Sequence, residues 1–145
     1  MLFAIHDPEG QLIEYTQYLP GSMQFEDRGK HLGEGRVSRQ VLGVTIPVKD
    51  VEAQAALYAK LGFMQGKRTG RTEFRLPGNS GQEIDLKPVG AGAEILFEVS
   101  DTAKGAETLR SRGLKVERQG ATVSVKDPDG NLVAFISEAD RREAQ

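Results

Sequence analysis

Apolar and polar positions alternate along residues 3–15, FAIHDPEGQLIEY, and again along residues 123–135, VSVKDPDGNLVAF. Period-two alternation interrupted by Asp-Pro-acid-Gly predicts two strands joined by a turn. Pro presets φ there, and Gly accepts a positive one. Asp7 recurs as Asp127, 120 residues later. In the first copy the alternation places Phe3, Ile5, Leu12 and Glu14 on one face, with Ala4, His6, Ile13 and Tyr15 on the other. The copies differ at a position of chemical weight: Glu14 in the first is Ala134 in the second.

Between the copies the pattern changes twice. Residues 18–38, YLPGSMQFEDRGKHLGEGRVS, hold no period and read as a linker. From VLGVTIPVKD onward a strand leads to Asp50, a good N-cap. VEAQAALYAKLGF then places Val51, Ala55, Tyr58 and Leu61 on one helical stripe, stopped by Gly62. FMQGKRTGRTEFRLP and GQEIDLKPV read as strands with turns at TGRT and PGNSG. AEILFEVSD repeats the opening strand, and TAKGAETLRSRG repeats the helix with Ala103, Ala106, Leu109 and Arg110 at helical spacing. LKVERQGATVSVKDPDGNLVAFIS supplies the last strands. The order strand, helix, three strands thus occurs twice, a two-fold βαβββ repeat. The expected organisation is an extra hairpin at 1–18, a linker at 19–40, a two-module domain at 41–137 and a charged, fraying tail at 138–145.

Composition narrows the function. The 145 residues are 38 % hydrophobic, enough for an ordinary core without metal or disulfide staples. Nineteen basic against 21 acidic side chains give a net charge of −2, which argues against nucleic-acid or membrane-surface binding. The chain has no Cys, so thiolate catalysis and sulfur-ligated metals are excluded. No apolar run approaches the ~20 residues that cross a bilayer, and the expectation is a cytoplasmic protein. GKRTGR lacks the spacing of a phosphate loop and reads as a solvated basic hairpin.

VTIPVKDVEAQAALYAKLGF, ILFEVSDTAKGAETLRSRG and VKDPDGNLVAFIS, in that order, resemble the vicinal oxygen chelate superfamily of glyoxalases, bleomycin resistance proteins and extradiol dioxygenases. The resemblance covers residues 41–137, with residues 3–17 as an extra half-match. It implies an α+β fold in which paired βαβββ modules form an open, cup-shaped mixed sheet, usually with a divalent metal in the cup. Carried over strand by strand, the metal positions here are Gly43, Asp85, Glu94 and Ala134. Two of these carry no ligand atom. Glu14 matches the eighth-strand ligand instead, in the copy outside the domain.

Alternation bears on the same residues. Ile95, Phe97 and Val99 form an apolar face for the helix, leaving Glu94, Leu96 and Glu98 toward the cup. Ile84 and Leu86 likewise leave Glu83, Asp85 and Lys87 on the cup side. Val123, Val125, Leu132, Ala134 and Ile136 are expected to face them, with Thr45, Glu98, Val123, Leu132 and Ala134 lining a ligand pocket. Asp85 with Glu94 could hold Mg²⁺, Mn²⁺ or Ca²⁺, which favour oxygen ligands, or share a proton as an acid/base pair. Zn²⁺ or Fe²⁺ fits less well, since residues 41–137 hold no imidazole. The plainer reading makes both carboxylates polar residues at the rim of an empty cup. His6 reads as a surface residue beside its turn, and His31 matches no position of the resemblance.

Three readings follow. In the first, the chain is the last part of a multi-module protein, and Glu14 belongs to a site completed elsewhere. In the second, the two-module domain binds a small organic ligand without a metal cofactor, as a homodimer. In the third, it is a metal-dependent lyase, isomerase or dioxygenase using Asp85 and Glu94, completed by Glu14 through hairpin exchange with a partner copy.

Overall fold

The structure, a computed structural model, describes residues 2–27, 29–30, 33–68, 71–75, 82–90 and 92–143, without the side chains of residues 67, 68, 71, 75, 142 and 143. His31 and parts of the expected turns TGRT and PGNSG lie outside the described residues. The chain divides into two compact units, Met1–Arg36 and Val37–Gln145.

In the first unit β1 (Leu2–His6) and β2 (Leu12–Thr16) form a two-stranded antiparallel sheet. A single helical turn, α1 (Met23–Glu26), lies within the stretch expected as linker. Asp7 builds the hairpin turn: its Oδ1 accepts from Glu9 N at 2.9 Å and from Gln11 N at 2.7 Å. Its backbone N–H donates to Gln11 O at 2.9 Å, and Gly10, at φ +82°, donates to Asp7 O at 3.0 Å. The register sets Phe3 opposite Tyr15 and Ala4 opposite Glu14. Directly opposite residues share a face. Phe3, Ile5, Ile13 and Tyr15 therefore form one face, and Glu14 shares the other with Ala4, His6 and Leu12. This corrects the expected faces, which grouped Glu14 with Phe3 and Ile5. Alternation fixes faces within a strand, while the turn length sets the phase between strands.

The second unit runs β3 (Gln40–Val48), α2 (Val51–Lys60), β4 (Met64–Arg68), β5 (Arg71–Arg75) and β6 (Glu83–Pro88). Its second half repeats this as β7 (Glu94–Val99), α3 (Thr102–Ser111), β8 (Glu117–Gln119), β9 (Thr122–Lys126) and β10 (Leu132–Ser137). The closing element is α4 (Glu138–Glu143). All eight strands form one open mixed sheet, ordered β4-β5-β6-β3-β7-β10-β9-β8. β3 and β7 pair antiparallel at its centre, β6 lies parallel to β3, and β10 lies parallel to β7. The two βαβββ modules thus meet along their first strands.

Both long helices start as the sequence predicts. Asp50 accepts from Ala53 N and Asp101 from Lys104 N, each at 2.9 Å, satisfying amides that the helix leaves open. Their buried stripes differ from expectation by a fraction of a turn. α3 buries Thr102, Gly105, Ala106 and Leu109 while Ala103 and Arg110 are exposed, and α2 buries Gln54 with Tyr58. Leu109 and Ala106 pack with Val99, Val123 and Phe135. Tyr58 meets Phe63 and Phe74, each at 5.3 Å between ring centres. Buried Leu, Val and Phe side chains of this kind contribute roughly 1.5–3 kcal/mol each, so the helices hold one face of the sheet firmly. The opposite face is left for chemistry.

Candidate ligand site on the cup face

Cross-strand registers align the residues of that free face in rows. One row runs Glu73, Asp85, Thr45, Glu94, Leu132, Lys126 across β5, β6, β3, β7, β10 and β9. The next runs Arg75, Glu83, Gly43, Leu96, Ala134, Ser124. A third sets Gln40 beside Glu98 and Ile136. A bulge between Val41 and Gly43 adds Leu42 to the cup side, where it clusters with Leu96, Ala134 and Ile136. The face is divided: Glu73, Glu83 and Asp85 gather on β5 and β6, Glu94 and Glu98 flank Leu96 on β7, and an apolar patch of Leu42, Leu96, Ala134 and Ile136 spans β3, β7 and β10.

Glu73, Glu83, Asp85, Glu94 and Glu98 are all buried, none more than 9 % exposed. Burying a carboxylate is costly unless it is paired and hydrogen-bonded, and the chain supplies cations of its own. Arg141 Nη2 donates to Glu83 Oε2 at 2.8 Å, with the Glu83 side chain 1 % exposed. Lys87 Nζ reaches Glu94 Oε2 at 3.4 Å. Gln40 Nε2 donates to Glu98 Oε2 at 2.7 Å, and the exposed Arg39 lies 3.4 Å from Glu98 Oε1.

Arg141 comes from the segment expected to fray. The helix α4 forms because Ser137 and Asp140 cap it reciprocally. Asp140 N donates to Ser137 Oγ at 3.1 Å, and Ser137 Oγ donates to Asp140 Oδ2 at 2.6 Å. Thr102 Oγ1, at the start of α3, also donates to Asp140, and it accepts from Ser137 N at 2.8 Å. The hydrogen bonds from Ser137 and Thr102 hold the Asp140 carboxyl below its ordinary pKa. The signal was present as SEAD, residues 137–140, a Ser followed three residues on by an acid.

The other expected site residues divide as follows. Thr45, Asp85, Glu94, Glu98, Leu132 and Ala134 lie on the cup face, as alternation predicts. Val123 and Val125 do not: they stand opposite Phe135 and Val133 and pack toward α3, leaving Thr122, Ser124 and Lys126 for the cup. The β9–β10 turn sets that phase, as in the first hairpin. Ile95 lies on the helix face but is 42 % exposed. Glu14 and His6 belong to the first unit, both exposed, and His6 Nδ1 lies 3.1 Å from Gly10 O. Sequence reasoning missed Glu73 and Arg141.

The donor set does not fit a resident metal. At Gly43 an added Cβ would lie 2.7 Å from Glu83 Cγ and 2.7 Å from Glu83 O, so the first-strand position has no room for a ligand side chain. Ala134 is 2 % exposed within an apolar cluster. Asp85 and Glu94 are separated by the strand carrying Thr45, about 10 Å between backbones, and Lys87 already faces Glu94. Among the described residues no three His, Cys, Asp or Glu side chains converge to hold a metal ion.

Comparison with known proteins identifies the architecture. No protein-family model and no curated protein matches the chain. Among solved structures, methylmalonyl-CoA epimerase from Mycobacterium tuberculosis is similar, with a TM-score of 0.58 and 21 % identity over 79 % of this chain and 98 % of that one. A glyoxalase/bleomycin resistance protein/dioxygenase superfamily member from Vibrio splendidus 12B01 gives 0.51 and 19 % over 68 % and 98 %. A catechol 2,3-dioxygenase gives 0.60 and 18 %, over 94 % of this chain but only 54 % of its own length. The chain thus has the vicinal oxygen chelate fold, two βαβββ modules in an open mixed sheet. At these identities the likeness is one of fold.

Proposed function

We propose that residues 37–145 form a small-molecule-binding domain whose metal site has been replaced by internal ion pairs. The observation that supports this reading most is Glu83 crossing over Gly43 to meet Arg141. A carboxylate and a guanidinium stand where the resemblance expects a metal ligand. The ligand that suits the divided face is a small organic molecule with an apolar body and a hydrogen-bond-donating head. Its body would lie against Leu42, Leu96, Ala134 and Ile136, and its head toward Asp85 and Glu73.

The test compares phenethylamine, phenylacetate and Mn²⁺ as additives in thermal unfolding, with elemental analysis of the purified protein. The amine should raise the midpoint, the carboxylate should not, and Asp85→Asn should remove the response. Stabilisation by Mn²⁺ with stoichiometric metal in the protein would overturn this reading in favour of a metal-dependent lyase, isomerase or dioxygenase using Asp85 and Glu94, and loss of that metal in Glu14→Ala would add Glu14 through hairpin exchange with a partner copy. Stabilisation by neither phenethylamine nor Mn²⁺ would overturn both.

The setting we propose is a cytoplasmic homodimer within a multi-module protein. Absence of Cys and of any described helix long and apolar enough to cross a membrane is consistent with that compartment. A cavity of about 200 Å³ at the β3–β6 seam, lined by Val41, Leu42, Val44, Phe63, Phe74 and Ile84 among others, is mostly apolar and would take an apolar side chain from a second copy. Sedimentation showing monomer at every concentration would remove the dimer. A native polypeptide of the same mass as this chain would remove the further modules.

A further inference from the structure

The hairpin β1–β2 and the hairpin β9–β10 are one structure in two surroundings. Their turns share every backbone bond: Asp127 N donates to Asn131 O at 3.0 Å and Gly130 N to Asp127 O at 3.0 Å, as Asp7, Gln11 and Gly10 do. Asp127 Oδ1 accepts from Asn131 N at 2.8 Å, matching Asp7 Oδ1 with Gln11 N at 2.7 Å. Registers coincide pair for pair: Phe3 with Tyr15 answers Val123 with Phe135, and Ile5 with Ile13 answers Val125 with Val133.

The surroundings differ. β10 pairs along its other edge with β7, in parallel, and β9 pairs with β8. On one face α3 covers the hairpin, leaving Val123 at 1 % and Phe135 at 6 % exposure. Among the described residues β1 and β2 pair only with each other, and Phe3, at the position of Val123, is 53 % exposed. A two-stranded hairpin is marginal alone in water.

From this equivalence we infer that β1–β2 is a docking surface for the strand-and-helix half of a further βαβββ module. The β2 edge takes that partner's strand in parallel, as β10 takes β7. The face of Phe3, Ile5, Ile13 and Tyr15 takes its amphipathic helix, as Val123, Val125, Val133 and Phe135 take α3. The partner strand carries an aromatic side chain beside Tyr15, as Phe97 stacks on Phe135 at 5.8 Å. A second copy of this chain does not supply such a strand: β3 and β7, its two module-opening strands, already have both edges paired. The similarity to the catechol 2,3-dioxygenase spans more of this chain than residues 37–145, so it reaches into the hairpin unit. The inference deepens the multi-module reading and is independent of any ligand in the cup.

Hydrogen exchange tests it. In the parent chain the amides of β1 and β2 should exchange within about tenfold of unprotected rates, while those of β9 and β10 are slow. A chimera places a copy of residues 93–121 directly before Leu2, reproducing the spacing that precedes Thr122. The β1–β2 amides should then slow by at least about 100-fold. Leu109→Asp in the grafted copy should return them to the parent rate. Protection in the parent equal to that of β9–β10, protection that rises with concentration as the chain pairs with itself, or unchanged rates in a folded chimera would each overturn the proposal. If the chimera does not fold, the peptide of residues 93–121 is added to the parent in trans. Resonance shifts confined to β1 and β2, including Phe3, Ile5, Ile13, Tyr15 and the β2 backbone amides, support the proposal, and their absence at saturating peptide overturns it. A native polypeptide longer than this chain with an unprotected hairpin would uphold the multi-module reading while removing this surface.

Discussion

Glu83 passes directly over Gly43: a Cβ added at Gly43 would meet both the side chain and the backbone carbonyl of Glu83 at 2.7 Å. The side chain could swing away from such a group, but the paired strand backbone could not. Gly43→Ala should therefore destabilise the domain by about 1–3 kcal/mol, the usual cost of overpacking. Urea unfolding measures it, and a shift below about 0.5 kcal/mol would mean that the β3–β6 pair relaxes freely. Gly43→His should be worse, and should confer no metal-dependent stabilisation.

Arg141 holds the other end of that carboxylate. Removing the guanidinium takes the 2.8 Å ion pair from a charge whose side chain is 1 % exposed, so Arg141→Met should cost up to about 3–5 kcal/mol. Adding Glu83→Gln should restore much of the loss, because the charge is removed along with its partner. Urea midpoints of the two single variants and the double variant measure the coupling. Additivity of the two changes would show that the contact contributes nothing of its own. Lys87→Met should cost less than Arg141→Met, since the Lys87–Glu94 pair is longer and more exposed.

The two-module architecture was legible because it depends on signals repeated at each level: Asp50 and Asp101 as caps, paired helical stripes and the Asp-Pro-acid-Gly turn of the last hairpin. The cup-facing set Glu83, Asp85, Glu94 and Glu98 was legible from alternation within single strands. What alternation leaves undetermined is the phase between neighbouring strands, and so Glu14, Val123 and Val125 were assigned to the wrong faces. Arg141 was hidden for a different reason. A polar, charged segment reads as solvated, and nothing local to it shows that a buried Glu83, 58 residues away in sequence, needs a cation.

Acid should release α4. Asp140 has its pKa lowered in the folded state, chiefly by hydrogen bonds from Ser137 and Thr102. A group depressed on folding contributes stability that is complete above its unfolded pKa and is lost as pH falls through the folded one. The contribution is therefore present above the ordinary carboxyl value of 3.8 and fades below it. Asp140→Asn should flatten the acid limb of a plot of unfolding midpoint against pH in that range. Parallel curves for both proteins would show that Asp140 is not linked to folding.

Glu14 and Ala134 occupy the same position in the two hairpins, yet exchanging their chemistry should have very unequal consequences. Glu14 is exposed beside Ala4, so Glu14→Ala should change stability by no more than about 0.5 kcal/mol. Ala134 is 2 % exposed among Leu42, Leu96 and Ile136, apolar surroundings that a carboxylate would have to enter stripped of its hydration. Ala134→Glu therefore both overpacks the cluster and buries a charge, and should cost more than about 3 kcal/mol. Urea unfolding of the two variants measures the contrast. A mild loss in Ala134→Glu, recovered by adding Mn²⁺, would mean that the cup still converges on a metal position despite Gly43. A mild loss without that recovery would mean that the apolar patch across β3, β7 and β10 opens readily to water.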